Sequence, residues 1–411
     1  MAPAPRIDAP RVIADLRELA RRTGGPEGAR RVCWTAEWLR ARELLSELLA
    51  QLSLETEQDA AGNLWTFLEG DAEPALALGS HLDSVPRGGW LDGALGVMAA
   101  VGVLRAWADG GSRPPRTLAL VDWADEEGAR FGRSLFGSSA FAGSLDPAPL
   151  AALTDGEGRA FAEVLAEYGV DLASAGEAVS GQERIGAYLE LHIEQGPVLE
   201  REGIAAAAVS GCAGVERLRF EFSGQAAHAG TTPMDERRDA GLAAAAAALA
   251  IAGIPEQHGG VATTGELRLR PGVATAVAGE ASLSCDLRHP DAASLAQMLA
   301  TARELAKAAA TGRDCELSEQ PLWRIEPIGF DPELVELAAG ACRELAKHER
   351  LIASGALHDA AEIARVLPAA MVFSPSSAGI SHAAAEDTPE PELRTAIEAF
   401  GLLANRTLIR G

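Results

Sequence analysis

The sequence has few of the features that mark a secreted or membrane-spanning protein. It contains five cysteines, an odd number, and no CxxC pair. Scattered cysteines of this kind argue against a disulfide framework and favour reduced residues in the core of a cytoplasmic protein. Residues 1–19 carry Arg and Asp among their apolar residues, so they lack the apolar core of a signal peptide. The most apolar window, 240–254, is mostly alanine and too short to span a bilayer, which predicts a packed helix.

Basic residues are also scarce relative to acidic ones. The chain has 36 Lys and Arg against 59 Asp and Glu, a net charge of −23. This excess of negative charge argues against nucleic acid or an anionic membrane as a partner. It does not argue against a small anionic substrate, because one buried Arg can reverse the potential locally. With 411 residues, of which 47% are hydrophobic, the chain has enough apolar material for two domains.

Apolar strands and helices alternate along the first part of the chain. Strand 74–78 is followed by helix 93–107, strand 116–122 and a further strand at 187–193. This order predicts an α/β fold in which helices flank a mixed sheet. The carboxyl ends of neighbouring parallel strands meet at one edge of such a sheet, so loops that follow these strands can form a common site.

The pattern changes between residues 211 and 322. Strands and helices there follow the order strand, helix, strand, strand, helix, strand, with one strand expected at 262–269 and the last near 315–318. This order predicts a separate α+β sandwich. The first pattern returns afterwards, so we predict a discontinuous catalytic domain, residues 1–210 and 323–411, into which the domain 211–322 is inserted.

Candidate metal ligands stand at or just after the predicted strands. Two cations need about three protein ligands each, one of them shared. Asp92 is the candidate for the shared ligand, with His81 and His192 on one ion and Glu127 and His382 on the other. Such mixed ligands suit zinc, manganese or cobalt alike.

Two further carboxylates complete the predicted site. Asp83 lies two residues from His81 and shares its face of an extended chain, so it can orient the imidazole. Glu126 is left without a metal to bind, and a free carboxylate beside a metal-activated water is what general-base catalysis requires. Two simpler interpretations stay open: acids such as 125–127 commonly form a solvated turn, and a histidine such as His192 is commonly hydrogen-bonded within a core.

Five sequence blocks resemble one known family. They are similar to the signature blocks of the amidase, hydantoinase/carbamoylase family within the aminoacylase-like metallopeptidase superfamily, which includes N-carbamoyl-L-amino-acid hydrolases, allantoate amidohydrolases and β-ureidopropionases. The blocks are 79–86 (GSHLDSVP), 125–131 (DEEGARF), 192–197 (HIEQGP), 224–234 (GQAAHAGTTPM) and 379–382 (GISH). The resemblance implies the ligand assignment above, Glu126 as the base, Asp83 as the partner of His81, and a smaller lid domain that carries the contact of a homodimer.

The resemblance also implies how the substrate is bound. His228 would enter the active site from the partner subunit and stabilise the oxyanion. Arg288 would pair with the substrate carboxylate, and Gln195 would hydrogen-bond the ureido group. The chain departs from the family pattern at Thr275, where the family has Asn, and at Leu357, where it has Gly. Both departures affect the pocket for the acid end of the substrate.

These observations predict an amidohydrolase. We expect it to cleave the C–N bond of a small N-carbamoyl (ureido) acid, with an N-carbamoyl-L-amino acid as the first candidate, to give an amino acid, ammonia and carbon dioxide. Allantoate is the alternative substrate, followed by the linear amides that an aminoacylase or dipeptidase cleaves. A metal-binding protein without turnover, its pocket closed by Leu357, is the alternative from a different class.

Overall fold

The computed structural model describes residues 4–409 and divides into two compact units. The first unit comprises the chain up to Ser210, residues Phe330–Ile352 and the chain from Ala356 onward. The second comprises Gly211–Gly329 and Ala353–Gly355. The boundary expected at residue 322 therefore differs from the observed one. The last long strand of the second unit resumes its pairing after an irregularity between Pro321 and Trp323 and continues through Ile325.

The helices of the described residues range from one turn to five. In chain order they are α1 (Ala9–Thr23), α2 (Ala36–Ala50), α3 (Ala94–Asp109), α4 (Phe136–Ala142), α5 (Phe161–Glu167), α6 (Val198–Glu202), α7 (Ala240–Ala252), α8 (Ile254–His258), α9 (Ala292–Thr311), α10 (Pro332–Leu345), α11 (Asp359–Ile363) and α12 (Glu390–Ile409). 3₁₀ helices occur at Pro149–Ala152, Ala175–Arg184, Met234–Glu236 and Ser377–Gly379.

The strands divide between the two units. In chain order they are β1 (Gly24–Gly25), β2 (Gly28–Ala29), β3 (Glu57–Gln58), β4 (Leu64–Leu68), β5 (Ala75–His81), β6 (Leu118–Trp123), β7 (Ile185–Ile193), β8 (Ala207–Cys212), β9 (Gly214–Ser223), β10 (Ala227–His228), β11 (Val261–Thr263), β12 (Leu267–Arg270), β13 (Ala276–Val277), β14 (Glu280–His289), β15 (Glu316–Ile325), β16 (Ile328–Gly329), β17 (Leu351–Ser354) and β18 (Ala369–Ser374).

A mixed sheet forms the centre of the first unit. Its strands follow the order β8-β18-β7-β5-β6-β4-β3. The central strands β18, β7, β5 and β6 are parallel, and β8, β4 and β3 pair antiparallel at the two sides. The parallel strands are buried over almost their whole length, as is usual where helices cover both faces of a sheet. Their carboxyl ends share one edge, and this edge carries the candidate site.

Helix α3 packs tightly against this sheet. The helix is apolar all round and buried from Ala94 to Leu104, which is typical of a helix enclosed on every side. A Cβ at Gly96 would stand 2.6 Å from the carbonyl oxygen of Leu191 in β7, so only glycine allows this approach. Helix α3 shares one core with α1, α10 and α12, while aromatic residues around Trp34 and Phe161 form another.

The second unit is an antiparallel sheet covered by two helices. The strand order is β11-β14-β9-β15, with β12 also paired to β14. Burial alternates along β9 and β14, and their inward residues meet α7 and α9. The single strand expected at 262–269 is wrong, because the structure has two strands there, β11 and β12. Between them the Glu266 amide donates to the side-chain Oγ of Ser284, which interrupts the backbone ladder, and Gly265 has no side chain to pack.

Helices α7 and α8 together form a longer apolar stretch than the sequence indicated. Ala240–His258 contains 19 residues and has the length and composition that a membrane-crossing helix needs. The expectation that this apolar window is too short to span a bilayer is therefore not supported by the length of the observed helix. Ala243, Ala247 and Ile251 pack into the core of the second unit, so one face of the helix is buried, while Leu249 on another face is exposed.

Candidate active site

His81 ends strand β5 and is held by Asp83. The Nδ1 atom of His81 lies 3.1 Å from the carbonyl oxygen of Asp83 and 3.5 Å from its Oδ1. The same carboxylate accepts hydrogen bonds from the backbone amides of Glu126 (3.3 Å) and Glu127 (3.1 Å). Asp83 therefore connects the loop after β5 to the loop after β6, and it directs Nε2 of His81 into the site.

Asp92 lies between the histidines that the sequence analysis singled out. Its Oδ1 is 3.2 Å from Nε2 of His192 and 3.9 Å from Nε2 of His81. Its Oδ2 is 3.3 Å from Nε2 of His382, which is also 3.5 Å from Oε2 of Glu127. The five side chains thus form two donor sets with Asp92 in common, and the donor atoms within each set lie within 4.8 Å of one another.

The chemistry of His192 fits a cation at the first donor set. Nδ1 lies 2.9 Å from the carbonyl oxygen of Ile193, and a proton on Nδ1 satisfies both atoms. Nε2 then carries the lone pair, and it is buried without a hydrogen-bond partner. A buried lone pair directed at the Asp92 carboxylate is the arrangement in which a metal ligand is expected. The interpretation of His192 as a hydrogen-bonded core residue accounts for only one of its two ring nitrogens.

The acids that follow β6 do not form a solvated turn. Asp125 is fully buried, and its Oδ2 accepts a hydrogen bond from Nε1 of Trp34 at 2.8 Å. Glu126 is 9% exposed, and its Oε2 lies 3.6 Å from Nε2 of His81. It belongs to neither donor set. Burial raises the pKa of the Glu126 carboxyl well above its ordinary value, and burial with the nearby Asp92 raises the pKa of Glu127 to about 7.

A third group of donors overlaps the first. Glu190, His192 and His358 are all buried, and their donor atoms also lie close together. Glu190 already accepts hydrogen bonds from Ser80 Oγ, Tyr188 Oη and the amide of Ala360. Its carboxylate is therefore occupied by protein donors, whereas the two sets that share Asp92 are candidate metal-binding clusters without this competition.

Three residues contact the Asp92 loop in ways that the sequence did not indicate. Gln195, expected to bind the ureido group, donates from Nε2 to Asp92 Oδ2 at 2.9 Å. Ser381 Oγ donates to the same oxygen at 2.9 Å, and Glu386 accepts from the Asp92 amide at 3.0 Å. Ser381 lies next to a predicted ligand in the chain; Glu386 had no signal in the sequence.

The remaining predicted site residues lie elsewhere in the chain. His228 and Thr275 are exposed in the second unit, where β10 and β13 pair and bring them close together. Arg288 lies on β14 of the same unit, donating to Asp286 Oδ1 at 2.9 Å and to the carbonyl oxygen of Gly355 at 2.8 Å. Leu357 is half-buried in the first unit, between β17 and α11.

Known proteins resemble this chain over nearly all of its length. Residues 77–406 match peptidase family M20/M25/M40, which is metal-dependent. The chain is 34% identical over 397 residues to an N-carbamoyl-L-amino-acid amidohydrolase of Paenarthrobacter aurescens, with 96% of both chains covered. It is 32% identical over 380 residues to the allantoate amidohydrolase of Escherichia coli strain K12, with 92% of both covered.

A solved structure agrees with these relatives. The crystal structure of an amidase of the hydantoinase/carbamoylase family from Burkholderia multivorans has a TM-score of 0.89 to this chain at 32% identity. The match covers 98% of this chain and 99% of that one. It confirms the expected mixed α/β fold. The chain belongs to the M20/M25/M40 peptidase family, among its hydantoinase/carbamoylase amidases, and is a hydrolase of carbon–nitrogen bonds in linear amides.

Proposed function

We propose that the protein hydrolyses a small N-carbamoyl acid, with an N-carbamoyl-L-amino acid as the substrate, to an amino acid, ammonia and carbon dioxide. Relatives named for N-carbamoyl-L-amino acids and for allantoate support a ureido substrate. The observation that carries the proposal is the position of Glu126. This carboxylate is buried 3.6 Å from His81 yet lies outside both donor sets, which is where a proton-transfer group has to be.

The donor sets define the cofactor that we propose. Two divalent cations, zinc, manganese or cobalt, would be held by His81, Asp92 and His192 and by Asp92, Glu127 and His382. When bound, the cations polarise the carbamoyl oxygen and make water more acidic. Asp83 holds His81 in the required orientation, and Gln195 does the same for Asp92 through its hydrogen bond.

The protein residues supply proton transfer and charge stabilisation. Glu126 accepts a proton from the attacking water and delivers it to the leaving nitrogen. We assign oxyanion stabilisation to His228, whose Nδ1 accepts a hydrogen bond from the Gly230 amide at 3.0 Å, so that a proton on Nε2 is available for donation. In our proposal this histidine belongs to the partner subunit of a two-fold homodimer.

Substrate recognition is assigned to the second unit. Arg288 would bind the substrate carboxylate, because its guanidinium carries donors beyond those used by Asp286 and Gly355. Thr275 offers one hydroxyl where the family pattern has an amide, and Leu357 adds bulk where the pattern has glycine. In this proposal Thr275 and Leu357 affect which substrate is bound and do not affect which reaction is catalysed. Allantoate, which also has a carboxylate and ureido groups, is the second candidate because the E. coli relative carries that name.

Product release decides between these substrates, with ammonia measured for the ureido acids and free amino acids measured for the dipeptides. The purified protein is incubated with N-carbamoyl-L- and N-carbamoyl-D-amino acids, allantoate and dipeptides, each with zinc, manganese or cobalt. We expect the fastest release from an N-carbamoyl-L-amino acid. Faster turnover of allantoate would select the second candidate, and cleavage of dipeptides alone would refute a ureido substrate. No turnover with any metal would favour the non-catalytic alternative.

Subunit mixing tests the proposed dimer. Glu126→Gln and His228→Ala variants are each expected to be inactive, and a mixture that exchanges subunits should recover up to about a quarter of the activity, because some dimers then contain one intact site. Light scattering measures the oligomeric state in parallel. A monomer with full activity would contradict the role assigned to the partner subunit.

A further inference from the structure

Glu386 is a buried carboxylate directly behind Asp92. It is 2% exposed. Oε1 accepts hydrogen bonds from the amides of Leu91 (3.1 Å) and Asp92 (3.0 Å). Oε2 lies 3.1 Å from Ser381 Oγ, which is itself 2.9 Å from Asp92 Oδ2. One side chain therefore connects the backbone of the shared carboxylate to the loop that carries His382, across almost three hundred residues of sequence.

The fit of Glu386 depends on a glycine. A Cβ at Gly89 would stand 1.9 Å from both Cδ and Oε1 of Glu386, so the carboxylate lies against bare backbone. The next acid along the chain provides a contrast. Asp387 is exposed and reaches the same segment only through Nε1 of Trp90, at 3.2 Å. Both acids tether the two loops, but only Glu386 contacts the backbone of a donor residue.

A buried guanidinium lies against the loop that follows His81. Arg31 is fully buried; its Nε donates to the carbonyl oxygen of Leu82 at 2.7 Å, and its amide donates to Ser84 Oγ at 3.1 Å. Nη1 and Nη2 are buried without hydrogen-bond partners. Burial lowers the pKa of the Arg31 guanidinium, and the charge of Glu386, ahead of that of Asp83, opposes this effect. Arg31 is thus fixed to the loop after His81 by its contacts with Leu82 and Ser84.

We propose that Glu386 is a positioning residue for the metal centre: it holds Asp92 and the His382 loop at the spacing that lets two cations share the Asp92 carboxylate. The inference rests on the proposed metal centre, but it concerns cation binding and not the substrate. Mutation of residues that hydrogen-bond to metal ligands typically weakens metal affinity about 10–100-fold.

The first experiment compares Glu386→Gln with Asp387→Asn. Each variant loses one negative charge on the same loop, so the second is a matched control. Zinc affinity is measured by competition with a chromogenic chelator, and the visible spectrum of the cobalt-loaded protein reports ligand geometry. We expect about 10–100-fold weaker zinc binding and an altered cobalt spectrum for Glu386→Gln, and unchanged values for Asp387→Asn. At saturating metal, kcat should fall while KM changes less than about twofold, because no substrate contact is lost.

The second experiment covers the case in which Glu386→Gln fails to fold, which thermal melts of the metal-free proteins identify. Ser381→Ala keeps Glu386 but removes the hydroxyl that lies 3.1 Å from Glu386 Oε2 and 2.9 Å from Asp92 Oδ2. We expect weaker zinc binding for Ser381→Ala than for Asp387→Asn. Equal zinc affinity in these two variants would overturn the positioning of Asp92 through this contact.

The outcomes separate this inference from the proposed function. Wild-type zinc affinity in Glu386→Gln would overturn the inference alone, as would equal losses in both single-charge variants. A wild-type protein that binds no cation would overturn the inference and the proposed metal centre together. A wild-type protein that binds zinc and loses affinity in Glu386→Gln, yet releases no ammonia from ureido acids, would support the inference and refute the substrate.

Discussion

Gly93 lies directly against the imidazole of His81. A Cβ at position 93 would stand 2.4 Å from Cε1 and Nδ1 of the ring, far inside van der Waals contact. Gly93 also has φ +63° and ψ −49°, a conformation that residues with a side chain adopt only under strain. Asp92 and the start of α3 can therefore approach the end of β5 because position 93 carries no side chain.

Gly93→Ala should impair the site more than the fold. The backbone strain costs about 1–3 kcal/mol, and the methyl group must displace His81 or Asp92. We expect weaker zinc binding and loss of most activity, measured by chelator competition and ammonia release. Gly132→Ala is the control, because Gly132 also has positive φ but has open space at its Cβ position. Equal loss of metal affinity in both variants would contradict the importance of the contact with His81.

Glu126→Gln should stop turnover and leave metal binding intact. General acid–base catalysis contributes roughly 10²–10⁴-fold, so kcat should fall by that factor. Glu127→Gln, the adjacent variant, should instead lower the metal content, because Glu127 lies in the second donor set. Metal analysis and ammonia release together distinguish the two roles. Retained activity in Glu126→Gln would refute the assignment of the base.

Removal of the metal should lower both activity and stability. When a chelator withdraws the proposed cations, the buried carboxylates around Asp92 would lose their counter-charge and the imidazole lone pairs would lose their acceptor. A ligand present at a hundred times its Kd stabilises the folded state by about 2.7 kcal/mol, so the melting temperature should fall on chelation. Added zinc, manganese or cobalt should restore activity, and the metal that does so at the lowest concentration is the preferred one. Full activity after exhaustive chelation would contradict the proposed centre.

Arg42→Met should destabilise the first unit, although Arg42 does not contact the candidate metal ligands. Arg42 forms a buried ion pair with Asp122, with 2.6 Å between Nε and Oδ2, and Asp122 Oδ1 accepts from the Leu82 amide at 2.7 Å. An unpaired Asp122 would cost about 3–5 kcal/mol. Urea denaturation measures the loss. The double variant Arg42→Met/Asp122→Asn should lose less than Arg42→Met alone, and an equal loss would contradict the charge argument.

Arg288→Lys should weaken substrate binding. Loss of a bidentate, charge-assisted contact to the substrate carboxylate costs about 1.5–3 kcal/mol, roughly a ten- to hundredfold decrease in kcat/KM. Arg217→Lys is the control, since Arg217 pairs with the same Asp286 at 2.6 Å but is not assigned to the substrate. Steady-state kinetics should show a raised KM for Arg288→Lys only. Similar kinetics for both variants would remove Arg288 from the substrate pocket.

Local sequence pattern predicted much of the fold. The strands that became β5, β6 and β7 are short apolar runs, and the amphipathic repeat of α1 places Val12, Leu16 and Leu19 inside. The predicted strand bounds were wrong where pairing with another strand decides where a strand begins or ends. The break between β11 and β12 depends on Ser284, and the end of β15 depends on its register with β9. Neither dependence is visible in the local sequence.

The sequence by itself determined which type of chemistry the candidate site can support. Imidazoles and carboxylates that follow buried strands are brought to one edge of a parallel sheet by the direction of those strands, so the donor types were readable without coordinates. The tertiary structure alone decided which side chains support them. Gln195, Ser381 and Glu386 contact Asp92 although all three are distant from it in the chain. Such contacts depend on how the loops pack against one another, and hydrophobic periodicity carries no information about that packing.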